Sequence, residues 1–146
     1  MINMKIENVD NKIIIYLFNK TIDINNINSL NKQIKDVFIR IMKRGTHDFL
    51  GYNKVNVYHN DIYGIILEVE NIYKGDVCYP TIDIKLVIYK DVPMYLEFDD
   101  YCFASKPKDL IIKNSKYYLA LDNKYIVDKY IEYGKIKYKK LLNEID

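Results

Sequence analysis

The chain of 146 residues is poor in the residue types on which most specialised sites depend. It has no tryptophan, two histidines, two cysteines and five scattered glycines. Cys78 and Cys102 form no Cys-x-x-Cys pair, and His47 and His59 lack the spacing of zinc ligands, so we expect no metal site. The separated glycines exclude a glycine-rich phosphate-binding loop. We therefore predict a protein without a cofactor.

Patterns of nucleophilic catalysis are also missing. Ser29, Ser105 and Ser115 do not lie in a nucleophile-elbow context, and neither cysteine stands beside a histidine in sequence. A triad that is assembled only in space would not appear in such patterns. The sequence therefore favours a protein that is not an enzyme.

Long apolar runs are absent as well. No stretch approaches the roughly 18 residues that a membrane-spanning helix needs. The short run from Ile13 to Phe18 is flanked by polar residues and lacks the small-residue cleavage site of a signal peptide. We expect a cytoplasmic protein, not bound to a membrane, with both cysteines reduced.

The composition is that of a globular protein. Hydrophobic residues make up 49% and charged residues 29% of the chain, and its length suits one domain spanning residues 1–146. The net charge of +2 argues against a protein that coats a polyanion, and therefore against nucleic acid as the partner.

The abundant residues carry a bias of their own. There are 24 isoleucines, 20 lysines, 15 asparagines and 15 tyrosines, against two arginines and two alanines. This pattern follows the codons of an AT-rich genome. The tyrosines therefore have two readings, an aromatic binding surface or codon drift.

The first helix is the clearest element. Apolar residues recur with the period of one helical stripe over Ile27, Leu30, Ile34, Val37, Phe38, Ile41 and Met42. Asn25 or Asn26 is a suitable N-cap, and Gly45 is a suitable left-handed stop. The sequence predicts one amphipathic helix near the N-terminus.

Most of the remaining chain alternates with the period of strands. The pattern predicts an apolar strand over 13–18 and three hairpins, over 55–69, 82–98 and 110–121. Residues 126–145 place apolar residues at helical spacing and predict a C-terminal helix. The predicted fold class is α+β, with a largely antiparallel sheet built from successive hairpins.

One strand carries an acid and a lysine two residues apart. Asp83 and Lys85, with Glu70 as an upstream acid, match the pattern of a metal-dependent nuclease, in which acids hold Mg²⁺ and lysine activates water. Acid-x-Lys triplets are common in a lysine-rich chain, and the polar face around this one is acidic. A metal-dependent nuclease or hydrolase is therefore the alternative function.

The leading hypothesis is a small non-catalytic binding protein, such as an adaptor, regulator or inhibitor. Tyrosines lie among carboxylates on the outward parity of the strands, where a protein partner with a basic surface would fit. The oligomeric state stays open. The predicted binding residues are Tyr58, Glu68, Tyr89, Tyr95, Glu97 and Tyr118.

Overall fold

The chain folds into two compact units, each built around its own β-sheet. A computed structural model describes residues 3–18, 22–74, 81–100 and 110–139. The first unit contains the described residues of 1–59 and 64–90, and the second those of 60–63 and 91–146. The predicted single domain would contain both units and stays a prediction. The mixed α+β class with mostly antiparallel strands is confirmed.

The first unit is a five-stranded sheet with one helix against it. Its strands lie in the order β1-β2-β4-β3-β5. Residues 3 to 9 form a strand that the sequence did not indicate. Two strands therefore precede the helix, which corrects the expectation of a helix near the N-terminus. The elements are β1 (Asn3–Val9), β2 (Lys12–Phe18), α1 (Ile27–Lys43), β3 (Gly51–Asn60), β4 (Gly64–Tyr73) and β5 (Ile82–Tyr89).

Helix α1 begins and ends where its sequence indicates. The side chain of Asn26 accepts a hydrogen bond from the Ser29 backbone N–H at 3.1 Å and caps the first turn. Gly45 ends the helix with a positive φ of 74°. Five of the seven residues of the predicted stripe are buried and pack with inward residues of the sheet into one apolar core, whereas Met42 is partly buried and Ile27 is 53% exposed. Its buried helical residues are Leu30, Ile34, Val37, Phe38 and Ile41.

The second unit is a four-stranded sheet with a short helix. Its strands lie in the order β7-β8-β6-β9, and every pair in it is antiparallel. The predicted hairpin over 110–121 is present, with Asn114 and Ser115 at positive φ in its turn. The elements are β6 (Tyr95–Phe98), β7 (Ile111–Lys113), β8 (Lys116–Ala120), α2 (Lys124–Tyr130) and β9 (Lys135–Lys137).

The predicted hairpin over 82–98 is wrong. Strand β5 belongs to the first sheet, where it pairs in parallel with β3, and β6 belongs to the second. Both sides of β6 are already occupied, because Leu96 lies opposite Leu119 of β8 and Ile136 of β9. The second sheet therefore leaves no edge of β6 for β5.

The C-terminal helix predicted over 126–145 is also wrong over most of its described length. Helix α2 spans only Lys124–Tyr130, and β9 follows. A Cβ atom at Gly134 would meet the Phe98 ring at 2.9 Å, so glycine lets the chain pass close to β6 before it enters the sheet. Residues 140–145 of the predicted helix lie outside the described residues.

The helices of the described chain are α1, with 17 residues, and α2, with 7 residues. None of them is both long enough and apolar enough to cross a bilayer.

Candidate functional site

One face of the first sheet carries most of the polar residues that the sequence singled out. Helix α1 covers the face formed by residues such as Val55, Leu67 and Ile84. Side chains alternate along a strand, so the intervening residues lie on the opposite side, which we call the outer face. It bears Tyr58 of β3, Glu68 and Glu70 of β4, and Asp83, Lys85 and Tyr89 of β5.

Two predicted binding residues form a stacked pair on the outer face. Tyr58 and Tyr89 lie directly opposite each other in the parallel pairing, and their rings stack with centroids 4.9 Å apart and planes 7° apart. Tyr58 is buried, whereas Tyr89 is 44% exposed. Burial, the charge of Glu68 and the neighbouring Tyr89 raise the pKa of Tyr58 to about 12, so the buried ring stays neutral.

Glu68 is buried and hydrogen-bonded beside this pair. Its Oε1 atom lies 3.2 Å from Lys12 Nζ and accepts a hydrogen bond from Asn56 Nδ2 at 3.3 Å. These three residues line a small pocket together with Lys54 and Glu70. The pocket has about 20 Å³ of space for a water-sized molecule, which is room for about one water.

Sequence reasoning missed Tyr16, another buried tyrosine of the outer face, which feels the charge of Glu68. Its hydroxyl donates to Glu7 Oε1 at 3.5 Å. Burial, followed by the charge of Glu7, raises the pKa of Tyr16 to about 12. The apolar run around it concealed the parity of β2. Tyr16 lies opposite Ile66 of β4, which is on the outer face. The pairing register of β2 with β4 is therefore needed to place Tyr16 on that face.

The second unit holds the other three predicted binding residues. Glu97 is buried on β6 and lies 3.6 Å from Lys116 Nζ and 3.7 Å from Lys137 Nζ. Burial opposes its ionisation, but a hydrogen bond from Tyr118 and the two lysines outweigh that effect and lower the pKa of Glu97. Tyr118 and Tyr95 are themselves buried in a small apolar cluster.

The structure therefore divides the predicted binding residues between two sheets. Tyr58, Glu68 and Tyr89 share the outer face of the first sheet, and the other three share one face of the second. Five of the six residues are at most 8% exposed, and Tyr89 is the exception. A partner can reach Tyr89 directly.

The structure separates Glu70 of the predicted nuclease site from Asp83, whereas Asp83 and Lys85 lie two residues apart on the same face of β5. Glu70 lies on β4 and Asp83 on β5, with β3 between them, so about 10 Å separates their backbones. The Asp83 carboxylate accepts a hydrogen bond from the Thr81 hydroxyl at 3.1 Å. Within the described ranges, neither acid belongs to a group of three or more potential metal ligands. The alternative function stays a prediction without a shared ion site to support it.

An open strip of the outer face remains, which we call the β3–β5 strip. Tyr52 lies opposite Asp83, and Lys54 lies opposite Lys85. Tyr52 is 39% exposed, close to the 44% of Tyr89, and the three charged residues are exposed. The strip consists of Tyr52, Lys54, Asp83, Lys85 and Tyr89.

Comparison with known proteins finds no match for this chain, whether with family models, curated proteins or solved structures.

Proposed function

We propose that this protein is a small non-catalytic binding protein, and that the β3–β5 strip contacts a protein partner. The observation that carries the proposal is the stacked pair of Tyr58 and Tyr89. An exposed tyrosine that already rests on a buried ring loses little conformational entropy when a partner covers it. Rigid aromatic anchors of this kind contribute much of the binding energy in protein interfaces.

The exposed charges of the strip suggest what the partner presents. Lys54 and Lys85 lie directly opposite each other, so an acidic side chain placed between them would relieve their repulsion. The basic partner predicted from the sequence depended on Glu68 and Glu97. Because lysines already neutralise both carboxylates, we favour a partner with an apolar contact for Tyr89 and an acid for the lysines.

The test begins by identifying the partner through the strip. A photo-reactive phenylalanine analogue at position 89 should cross-link one protein in cells of the native host, while the same group at Tyr125 should not. Tyr125 is a suitable control because it is 68% exposed and lies on α2 of the second unit.

Affinity for the captured partner is then measured with purified variants. Tyr89→Ala should weaken binding by about tenfold or more, the usual effect of removing an interface anchor. Lys54→Glu should weaken it most at low salt, because the interaction is electrostatic. Tyr125→Ala should leave affinity unchanged. Equal affinities for all three variants and the wild type would refute the proposal.

A further inference from the structure

Strand β5 is an edge strand of the first sheet. In the described part of the chain it is the last strand in the order β1-β2-β4-β3-β5 and pairs with β3 alone. The outer edge of such a strand carries a row of backbone donors and acceptors that can pair with another strand.

The hydrogen bonds of β5 show which residues face outward. The Gly51 backbone N–H donates to the Thr81 carbonyl at 2.7 Å, and Asn53 Nδ2 donates to the Asp83 carbonyl at 3.4 Å. Backbone groups alternate along a strand, so the odd-numbered residues of β5 face β3. The residues whose N–H and C=O groups point away from β3 are Ile82, Ile84, Leu86 and Ile88.

The same four residues leave the apolar layer of the unit open at this edge. Their side chains pack on the core beneath α1 but are only partly buried, whereas Val55 and Val57 on the neighbouring strand are fully buried. A strand added to this edge with apolar side chains on the same face would extend the core.

The charges of β5 are complementary to the charges of a second β5. Asp83 and Lys85 are exposed and flank Ile84 symmetrically. In an antiparallel pair centred on Ile84, each Asp83 lies opposite the Lys85 of the other copy. These residues occupy the non-hydrogen-bonded positions, where opposing side chains approach most closely.

We propose that β5 pairs antiparallel with β5 of a second copy of this chain, about a two-fold axis at Ile84. The Ile84 residues of the two copies exchange backbone hydrogen bonds with each other, and Ile82 exchanges them with Leu86. This inference rests on the edge of β5 and not on the stacked tyrosines that carry the protein-binding proposal. Asp83 and Lys85 belong to both surfaces, so self-association is measured in the absence of a partner.

Charge selects this register over its neighbours. A pair centred on Asp83 or on Lys85 would place two like charges directly opposite each other, which is destabilising. A pair centred on Leu86 would place Asp83 opposite Tyr89 and leave both charges without an opposite partner. The register centred on Ile84 is the one that matches both charged pairs.

The first experiment uses charge reversal and sedimentation equilibrium. We expect a reversible dimer, measured up to about 1 mM because an interface of one strand per copy is small. Asp83→Lys and Lys85→Asp should each lower the association constant by about tenfold or more, since each variant opposes like charges twice. The exchanged double variant, Asp83→Lys with Lys85→Asp, should restore it, and the two single variants should form a heterodimer when mixed.

The second experiment tests the register with single cysteines in a Cys78→Ser, Cys102→Ser background. In the proposed register the two copies of residue 84 have Cα atoms about 5.5 Å apart, within the range of a disulfide. Ile84→Cys should therefore give a cross-linked dimer on mild oxidation. Leu86→Cys is the matched control, because its two copies lie roughly 13 Å apart along the strands.

The two experiments together support or overturn the proposed β5 dimer. A dimer whose affinity is restored by the charge exchange and that cross-links at position 84 supports the proposal. A wild type that stays monomeric across the concentration range overturns it. So does a dimer that is insensitive to both reversals, or one that cross-links through position 86 instead of 84. Thermal unfolding of each variant checks that the fold is intact, since Asp83 and Lys85 are exposed but Ile84 and Leu86 are partly buried.

Discussion

At the scale of single residues, Gly51 is a position of the first sheet where only glycine fits. Its φ is +101°, a conformation that side-chain-bearing residues avoid. A Cβ atom there would collide with the Tyr73 carbonyl oxygen and would lie 2.5 Å from the carbonyl carbon of Lys74. Both neighbours are backbone, which cannot rotate away. Gly51 therefore lets the start of β3 lie against the end of β4.

Gly51→Ala should lower the free energy of unfolding by roughly 3 kcal/mol or more, because backbone strain and steric overlap add. Gly45→Ala is the matched control. Gly45 also has a positive φ, of 74°, but no atom lies within 4 Å of its added Cβ, so we expect a loss of about 1 kcal/mol. Urea denaturation of both variants measures the difference, and equal losses would show that strain alone acts at Gly51.

Glu97 makes stability depend on pH. Its pKa in the folded chain is lower than the ordinary value of 4.5, so the unfolded chain binds the proton more tightly. The stabilisation is complete above pH 4.5 and is lost as the pH falls through the folded-state pKa. Glu97→Gln should destabilise the protein at pH 7 by roughly 2 kcal/mol, since it leaves Lys116 and Lys137 without the charge between them.

The gap in thermal midpoint between Glu97→Gln and the wild type should close as the pH is lowered below 4.5. Asp99→Asn is the control. Asp99 is 81% exposed and lies 3.7 Å from Lys116, so this variant should change the midpoint little at any pH. A gap of constant size from pH 7 to pH 3 would contradict the assignment.

At the scale of elements, α1 is held to the sheet by its apolar stripe. Phe38 is fully buried, and its ring stacks on Phe49 with centroids 4.1 Å apart. Phe38→Ala should cost about 3 to 5 kcal/mol, the usual effect of removing a large core side chain. The exposed Lys32 lies on the opposite side of the helix, so Lys32→Ala should cost less than about 0.5 kcal/mol. Calorimetry of the two variants would contradict the packing if their midpoints were equal.

Sequence patterns predict the type of an element better than they predict its pairing partner. The stripe of α1 was readable because its period, its N-cap and its terminal glycine agree. The alternation of β5 was equally clear, yet a period of two residues does not specify which strand pairs with it. The parallel partner β3 follows from contacts such as that of the buried Asn53 with the Asp83 carbonyl, and these are distant in sequence.

The end of the second unit illustrates a different difficulty. Val127 and Ile131 have helical spacing, and the side chain of Asn123 accepts a hydrogen bond from the Tyr125 backbone N–H and caps α2. The alternation of Lys135, Ile136 and Lys137 is too short to be distinguished from a continuing helix. Strand pairing decides that residues 135–137 form a strand. One side of β6 pairs with β8, and β9 pairs with the other side.

At the scale of the whole molecule, composition and periodicity predicted the α+β class but not the division into two sheets. The outward parity of Tyr58, Glu68 and Tyr89 could be read from alternation. Burial could not, because it depends on which groups assemble around each side chain. Lys12 lies far from Glu68 in sequence, and Lys116 and Lys137 lie on separate strands from Glu97.

The two proposals together have a consequence for assembly. Two copies joined through β5 would carry their β3–β5 strips on one continuous sheet, related by the two-fold axis. A partner with two matching sites would then bind with an effective concentration set by the spacing of the strips, and its avidity would exceed the affinity of either strip.

Strand β5 also has the composition of an aggregation-prone segment, and its two charges oppose that aggregation. The segment Ile82–Tyr89 is rich in β-branched residues, lacks proline and has no net charge, a composition that favours cross-β stacking into fibrils. Asp83 and Lys85 oppose stacking in register, because each charge would then lie above an identical one. Neutral residues at both positions would remove that gatekeeping and leave an edge strand able to seed amyloid.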